Sequence, residues 1–246
     1  MRIKFILLVL LQCLLLVGMI GMREIWIAKG TKIKLKCVPV NPRDIFRGDY
    51  ARLNYQISSL DLDTLNCKET FKKNDKIYVS LKQNEKGYCE PYFVSSKKPE
   101  GAIFLMGRAK YDAMTNSRWE VKIKDEVGEV KIFHPQWFYG IKKGEKATFC
   151  VDKQGNVIHF FKENSEYQQK CYGEETASVS GVIEEIIETK YQTVNVEYGI
   201  ESYFVEEGSG RVIESAPRSK EILVEISLNK KGQGLITGLF IDGKRF

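Results

Sequence analysis

The sequence predicts a mainly β protein: one N-terminal transmembrane helix followed by a β-rich body, sandwich or barrel-like. Three observations predict it. An apolar run follows the first four residues. Many short segments beyond it alternate apolar and polar side chains. Clusters of Gly, Asn, Asp and Lys separate those segments. Gly is frequent (20) and Pro scarce (6), as in strands joined by tight turns. Hydrophobic residues make up 43% and charged residues 28%, an ordinary balance for a folded chain. A length of 246 residues suits one domain or two small ones.

Met1-Arg2-Ile3-Lys4 is a basic head. Phe5 to Met22 follows, eighteen residues in which only Gln12 is strongly polar. At about 1.5 Å of rise per residue, about 18–20 apolar residues cross a hydrocarbon core. A secretory signal has a shorter core, about 7–15 residues, and ends in an Ala-x-Ala-like site. None occurs near Val17 to Gly21, so residues 1–23 are expected to stay as an anchor, with the β body in 24–246. Leu10-Leu11-Gln12-Cys13 makes a poor lipidation site, because a bulky Gln precedes a Cys that lies inside the apolar run. Arg2 and Lys4 favour a cytoplasmic N-terminus. Arg23, Lys29, Lys32, Lys34 and Lys36 pull the other way, but the last three read as the outer face of a strand. The expected location is therefore the cytoplasmic membrane, with the body on its outer side.

Of the net charge of +6, three positives (Arg2, Lys4, Arg23) flank the apolar run. The rest of the chain holds 35 basic residues against 32 acidic, and they are dispersed. Nucleic acid, which calls for a concentrated basic patch, is not an expected partner. Cys13 falls in the apolar run. Cys67 and Cys89 are 22 positions apart, Cys150 and Cys171 are 21 apart, and Cys37 is left over. Each pair is spaced to close a hairpin in an oxidising compartment. The alternative is five small core residues. No CxxC spacing occurs, so no metal site is expected.

Along the body, Lys32-Ile33-Lys34-Leu35-Lys36-Cys37 alternates as a half-buried strand does, with Ile33, Leu35 and Cys37 inward. Pro39 and Pro42 are expected to break it. Tyr50 to Ile57 alternates, with Leu53 and Tyr55 on the core side, and Ser58 to Leu65 suits a short helical turn. Further strands are expected at Ile77–Leu81, Ala102–Ala109, Trp119–Ile123 and Val127–Phe133. Thr148–Val151 and Val157–Phe161 bracket a hairpin turn, as do Ile222–Leu228 and Leu235–Ile241. Val179–Glu188 reads as a strand or a short helix, and Thr193–Tyr198 alternates. Glu90-Pro91-Tyr92-Phe93-Val94 echoes Glu201-Ser202-Tyr203-Phe204-Val205, which suggests two related β halves. A subdomain boundary, if the body has one, is expected near 125.

Gly48-Asp49-Tyr50-Ala51-Arg52-Leu53-Asn54-Tyr55 fills every fixed position of G-D-Y-x-x-L-x-Y. The chain resembles the GDYXXLXY domain family, membrane-anchored bacterial proteins of uncharacterised function. Tyr198 to Gly208 is similar to that family's C-terminal block, and Leu239-Phe240-Ile241-Asp242-Gly243 to its end. The resemblance spans about residues 30–246 and is weakest over 125–185. It implies an accessory role beside a multi-pass membrane protein.

Two readings of the signature are open. One is a structural corner in which Gly48 turns, Asp49 caps and the charges pair. The other is a recognition loop whose candidate residues are Arg43, Asp44, Arg47, Gly48, Asp49, Tyr50, Arg52 and Tyr55, with Arg forks suited to a carboxylate or phosphate. Tyr198, Gly199, Glu201, Tyr203, Glu207 and Gly208 form the second candidate block.

No catalytic set stands out. Pro39 to Leu53 is similar in outline to the nucleophile segment of signal-peptidase-like enzymes. Val40 stands where their Ser would be, and a Ser–Lys mechanism needs both groups. His134 reads as part of an aromatic corner, and His159 as a half-buried strand residue. No G-x-S-x-G, HExxH or phosphate loop occurs, so no cofactor is expected. The leading expectation is a membrane-tethered accessory domain. The alternatives are an envelope hydrolase with a cryptic nucleophile and a small-ligand sensor.

Overall fold

A computed structural model describes residues 2–40, 50–162, 171, 177–204 and 221–245. One helix, α1 (Arg2–Lys29), precedes the β body. Its apolar side chains lie bare of protein: Phe5, Leu14 and Val17 are 68%, 69% and 70% exposed. The body forms two compact units, Met1–Met114 with Thr193–Phe246, and Thr115–Gln192. The first is discontinuous in sequence. Both segments of the Tyr-Phe-Val echo stand in that first unit, so the echo does not correspond to the division into units.

The first unit holds β1 (Thr31–Val40), β2 (Tyr50–Tyr55), β3 (Ser59–Asp61), β4 (Lys76–Gln83), β5 (Cys89–Ser95) and β6 (Phe104–Ala109). The second holds most of β7 (Met114–Asp125), then β8 (Val130–Phe133), β9 (Lys146–Val151), β10 (Val157–Lys162) and the greater part of β11 (Ala177–Glu197). The chain then returns to the first unit through β12 (Ser202–Phe204), β13 (Ile222–Leu228), β14 (Gly234–Ile241) and β15 (Lys244–Arg245).

In the first unit the strands run β6-β4-β5-β1-β13-β14-β15, with β2 also on β1 and β12 on β2. Pairing is antiparallel except between β1 and β5 at Leu35 and Cys89. The sheet is mixed and open, not closed into a barrel. β1 is its hub. Ile33, Leu35 and Cys37 are buried, as their alternation predicts, and join Leu53, Tyr55, Ile77, Val79, Leu105 and Val224 in one core.

Pro39 does not end β1. The strand continues to Val40 on β2, with Pro39 opposite Leu53. The β13 ladder stops at Cys37. Among the described residues Pro39 thus has one strand neighbour, a place that tolerates a missing N–H. Residues 56–58 form a 3-10 turn.

The second unit packs Val121, Ile123, Phe133, Phe138, Phe149, Phe160 and Ile183 into its own core. Phe133 and Phe149 stack at 4.8 Å. Asp152 closes the β9–β10 hairpin by accepting the backbone N–H groups of Gln154 and Asn156. The segments 179–188 and 193–197 are parts of one 21-residue strand, β11. Its start pairs with β9 over Ala177–Val182, and its end with β3 and β6. His134 precedes the Phe138 corner and is exposed. His159 on β10 is exposed too, not half-buried.

Cys150 and Cys171 are joined by a disulfide, with Cα atoms 5.5 Å apart. Cys67 and Cys89 are separate thiols. The hairpin that contains Cys89 is β4–β5, where Cys89 faces Gln83. Cys67 belongs to an earlier turn, its N–H bonded to Leu62 O.

The last turn of α1 is seated on β13. Trp26 Nε1 donates to Ser227 O at 3.1 Å, and Ser227 Oγ donates to Trp26 O at 3.0 Å. Gly30 permits this approach: a Cβ there would run into Ser227 Oγ and lie 2.7 Å from Trp26 O and 2.9 Å from Leu228 O.

Alkylation of the denatured, unreduced protein is expected to modify Cys13, Cys37, Cys67 and Cys89, and reduction is expected to add Cys150 and Cys171. Peptide mass mapping reads both steps. Modification of Cys150 before reduction would contradict the disulfide.

Candidate functional site

The structure brings part of the two sequence blocks together. β12 lies antiparallel on β2, with Ser202 opposite Arg52, Tyr203 opposite Ala51 and Phe204 opposite Tyr50. Leu53 N donates to Glu201 O at 2.8 Å. Arg43, Asp44, Arg47, Gly48, Asp49, Glu207 and Gly208 lie outside the described residues. Of Tyr50 only the backbone is described.

Alternation sets the roles along β2. Leu53 and Tyr55 point inward and are buried; Arg52 and Asn54 point outward and are exposed. The Tyr55 hydroxyl donates to Ile200 O at 2.7 Å. The Tyr198 hydroxyl donates to Ile57 O at 2.6 Å. Each block thus anchors its tyrosine on the other's backbone. Tyr198 and Glu201 bracket a turn in which Gly199 adopts φ +79°, a left-handed conformation that favours glycine. Glu201 Oε1 accepts the Tyr198 N–H at 2.5 Å and closes that turn. Tyr203 is half-buried against the same core.

Burial pushes the Tyr55 hydroxyl far above its ordinary value, helped by the nearby Cys37 and Glu201. Burial does the same to Tyr198, with Glu201 adding to it. Burial pushes the Cys37 thiol up to about 12. These groups are neutral structural members.

The outward face of β2 borders a hollow of about 330 Å³, lined by Arg52, Asn54, Ser58, Lys110, Glu197 and Glu201 among others. A second hollow of about 570 Å³ shares Lys110, Tyr111, Glu197 and Glu201 and adds Asn74 and Arg108. Together they make a polar groove carrying both signs of charge. Lys110 Nζ lies 3.3 Å from Glu197. The Ser58 hydroxyl is buried and has no hydrogen-bond partner among the described residues. Lys110 is engaged by Glu197. The groove offers guanidinium, ammonium, carboxylate and amide groups, which suits binding a polar, peptide-like segment. Among the described residues no cluster of His, Cys, Asp and Glu suits a metal ion.

The sequence analysis missed Ser58, Lys110, Tyr111, Asn195 and Glu197. Pairing of β11 with β3 and β6 brings them to β2. The one local signal was the adjacency of Glu197 to the Tyr198 block.

Tyr55→Phe is expected to lower stability by about 1–3 kcal/mol, because Ile200 O loses its buried donor; a thermal melt of the full chain in detergent reads the change. Stability is also expected to fall at alkaline pH. The folded state holds Cys37, Tyr55 and Tyr198 neutral, so their contribution is intact below about pH 9. It is lost as pH rises through 9.0, the ordinary thiol value, towards about 12. A melting temperature unchanged between pH 8 and pH 11 would contradict this.

No curated protein and no solved structure matches the chain. The family described as "GDYXXLXY protein" matches residues 12–239, nearly the whole length. On that match, and on a signature strand and C-terminal block that lie side by side, the chain belongs to the GDYXXLXY family.

Proposed function

We propose that the protein is a membrane-tethered accessory domain. α1 anchors it in the cytoplasmic membrane of a bacterium, the β body stands on the outer, periplasmic side, and the groove beside β2 takes a polar segment of a multi-pass membrane protein. The observation that carries the reading is the pairing of two surfaces. α1 presents an apolar cylinder with no protein cover, and lipid or neighbouring helices would cover it. The groove presents polar groups of both signs next to the strand that follows the signature loop. The Cys150–Cys171 disulfide supports an oxidising compartment.

A second reading has one observation in its favour. The orphaned Ser58 hydroxyl in the groove suits a small polar ligand that supplies the missing partner. That would make the protein a ligand sensor.

The test is recovery of tagged full-length protein from its native membrane in mild detergent, with Asp49→Ala and Arg52→Glu variants in parallel. One multi-spanning protein is expected to co-purify with the parent and to fall at least tenfold with a variant whose melting temperature is unchanged. Equal recovery with both variants would remove the groove and loop from partner binding. A Ser58-dependent rise in melting temperature with a small polar solute would favour the sensor.

A further inference from the structure

At the foot of α1 lies a hollow of about 520 Å³, a volume typical of small-molecule sites. On the helix side it is lined by Met22, Ile25, Trp26 and Lys29; on the body side Ile103, Phe104, Leu228 and Lys230 face it. Its apolar lining is rimmed by cations. We propose that this hollow holds one anionic phospholipid, with its headgroup at Lys29 and Lys230 and its upper acyl chain against Ile103 and Phe104. This rests on the anchoring reading above.

Position supports the assignment. About 20 helical residues cross the hydrocarbon core, and counted from Phe5 they end near Glu24. Ile25, Trp26 and Lys29 then stand at headgroup level, the depth that Trp and Lys favour. Ile103 is 44% exposed beside them, an apolar side chain turned towards the same level. Lipid would cover it.

Rigidity supports it too. The helix side is held by the two Trp26–Ser227 hydrogen bonds. The body side is the tip of the β13–β14 hairpin. There Asn229 Oδ1 accepts the Lys231 and Gln233 N–H groups, and Gly232 O accepts Met106 N at 2.7 Å. A side chain at Gly232 would strike Phe104. The hollow is thus framed by bonded backbone on both sides.

Charge selects the occupant. Among the described residues no carboxylate pairs with Lys29 or Lys230. Lys98 Nζ lies 5.6 Å over the Phe104 ring and adds a third cation. Glu24 stands on the helix and Glu100 in the loop before β6, and neither lines the hollow. The balance favours a phosphate bearing net negative charge over a zwitterionic headgroup. Each cation near such a surface contributes about fivefold in affinity.

The test is native mass spectrometry of full-length protein in mixed micelles carrying phosphatidylglycerol or phosphatidylcholine, with alkaline carbonate extraction of membranes run alongside. One phosphatidylglycerol is expected to remain on each chain. Its retention is expected to drop about twentyfold in a Lys29→Glu, Lys230→Glu double variant that melts as the parent does. Equal retention of both lipids, or no change in the variant, would overturn the proposal while carbonate resistance left the anchor standing. Displacement by inorganic phosphate alone would assign the site to a free anion and also overturn it. So would a lipid-free dimer that Ile103→Glu dissociates, since a second copy would then fill the hollow. A chain released by carbonate would overturn both the lipid site and the anchor.

Discussion

Two buried hydroxyl-to-carbonyl bonds, running in opposite directions between the same two stretches of chain, hold the site together. Tyr55 reaches Ile200, and Tyr198 reaches Ile57. Both carbonyls are far from water, so each hydroxyl is the donor that its partner would otherwise lack. Between them these bonds clamp the turn from Tyr198 to Glu201 against β2 and set β12 beside it. The position of β12 against β2 follows from that clamp. So does the position of Glu201, whose carboxylate closes the turn and also borders the groove. A family signature that ends in Leu-x-Tyr is, in this light, largely a record of packing. Its Leu53 and Tyr55 are interior, while Arg52 and Asn54 reach solvent.

The molecule's surfaces divide by polarity. α1 is apolar around its whole circumference, while the groove beside β2 is polar and carries both signs of charge. A third region, at the foot of α1, mixes the two characters, with an apolar lining and a rim of lysines. Arg23 lines a small hollow of about 230 Å³ with Gly199, Ser202 and Tyr203, which brings the helix to the underside of the second block. The end of the helix and the clamped turn are therefore neighbours within the first unit.

Much of the fold was legible because strand signals are local. Alternation exposed β1, β2 and the end of β11, since the side-chain period of two needs no knowledge of the partner. The hairpins closed by Asp152 and Asn229 announced themselves by their turn residues. β11 as a whole resisted because its partners change along its length, and Glu184, Glu185 and Glu188 blur its alternation. Pro39 misled because the rule against proline applies to a strand with neighbours on both sides. The two candidate blocks were legible as sequence. Their contact was not, because β2 and β12 are separated by well over a hundred residues. Lys110, Glu197 and Ser58 carry no motif at all and share a groove only through the pairing of β11. Equal spacing of the cysteine pairs suggested equal roles, but only Cys150 and Cys171 occupy places from which their side chains meet.

β1 is the first strand after the helix, and its long partner β13 is among the last. Thr31 stands opposite Leu228, nearly the full length of the body away. While the chain is being made, β1 emerges early with that flank bare. A bare, apolar strand edge invites pairing with the wrong chain. The contact is also about as non-local as the chain permits, and non-local pairing is slow. Nascent molecules must therefore be shielded until the C-terminal strands arrive. A stalled or clipped product lacking β13 would display that open flank, a ready mark for proteolytic disposal.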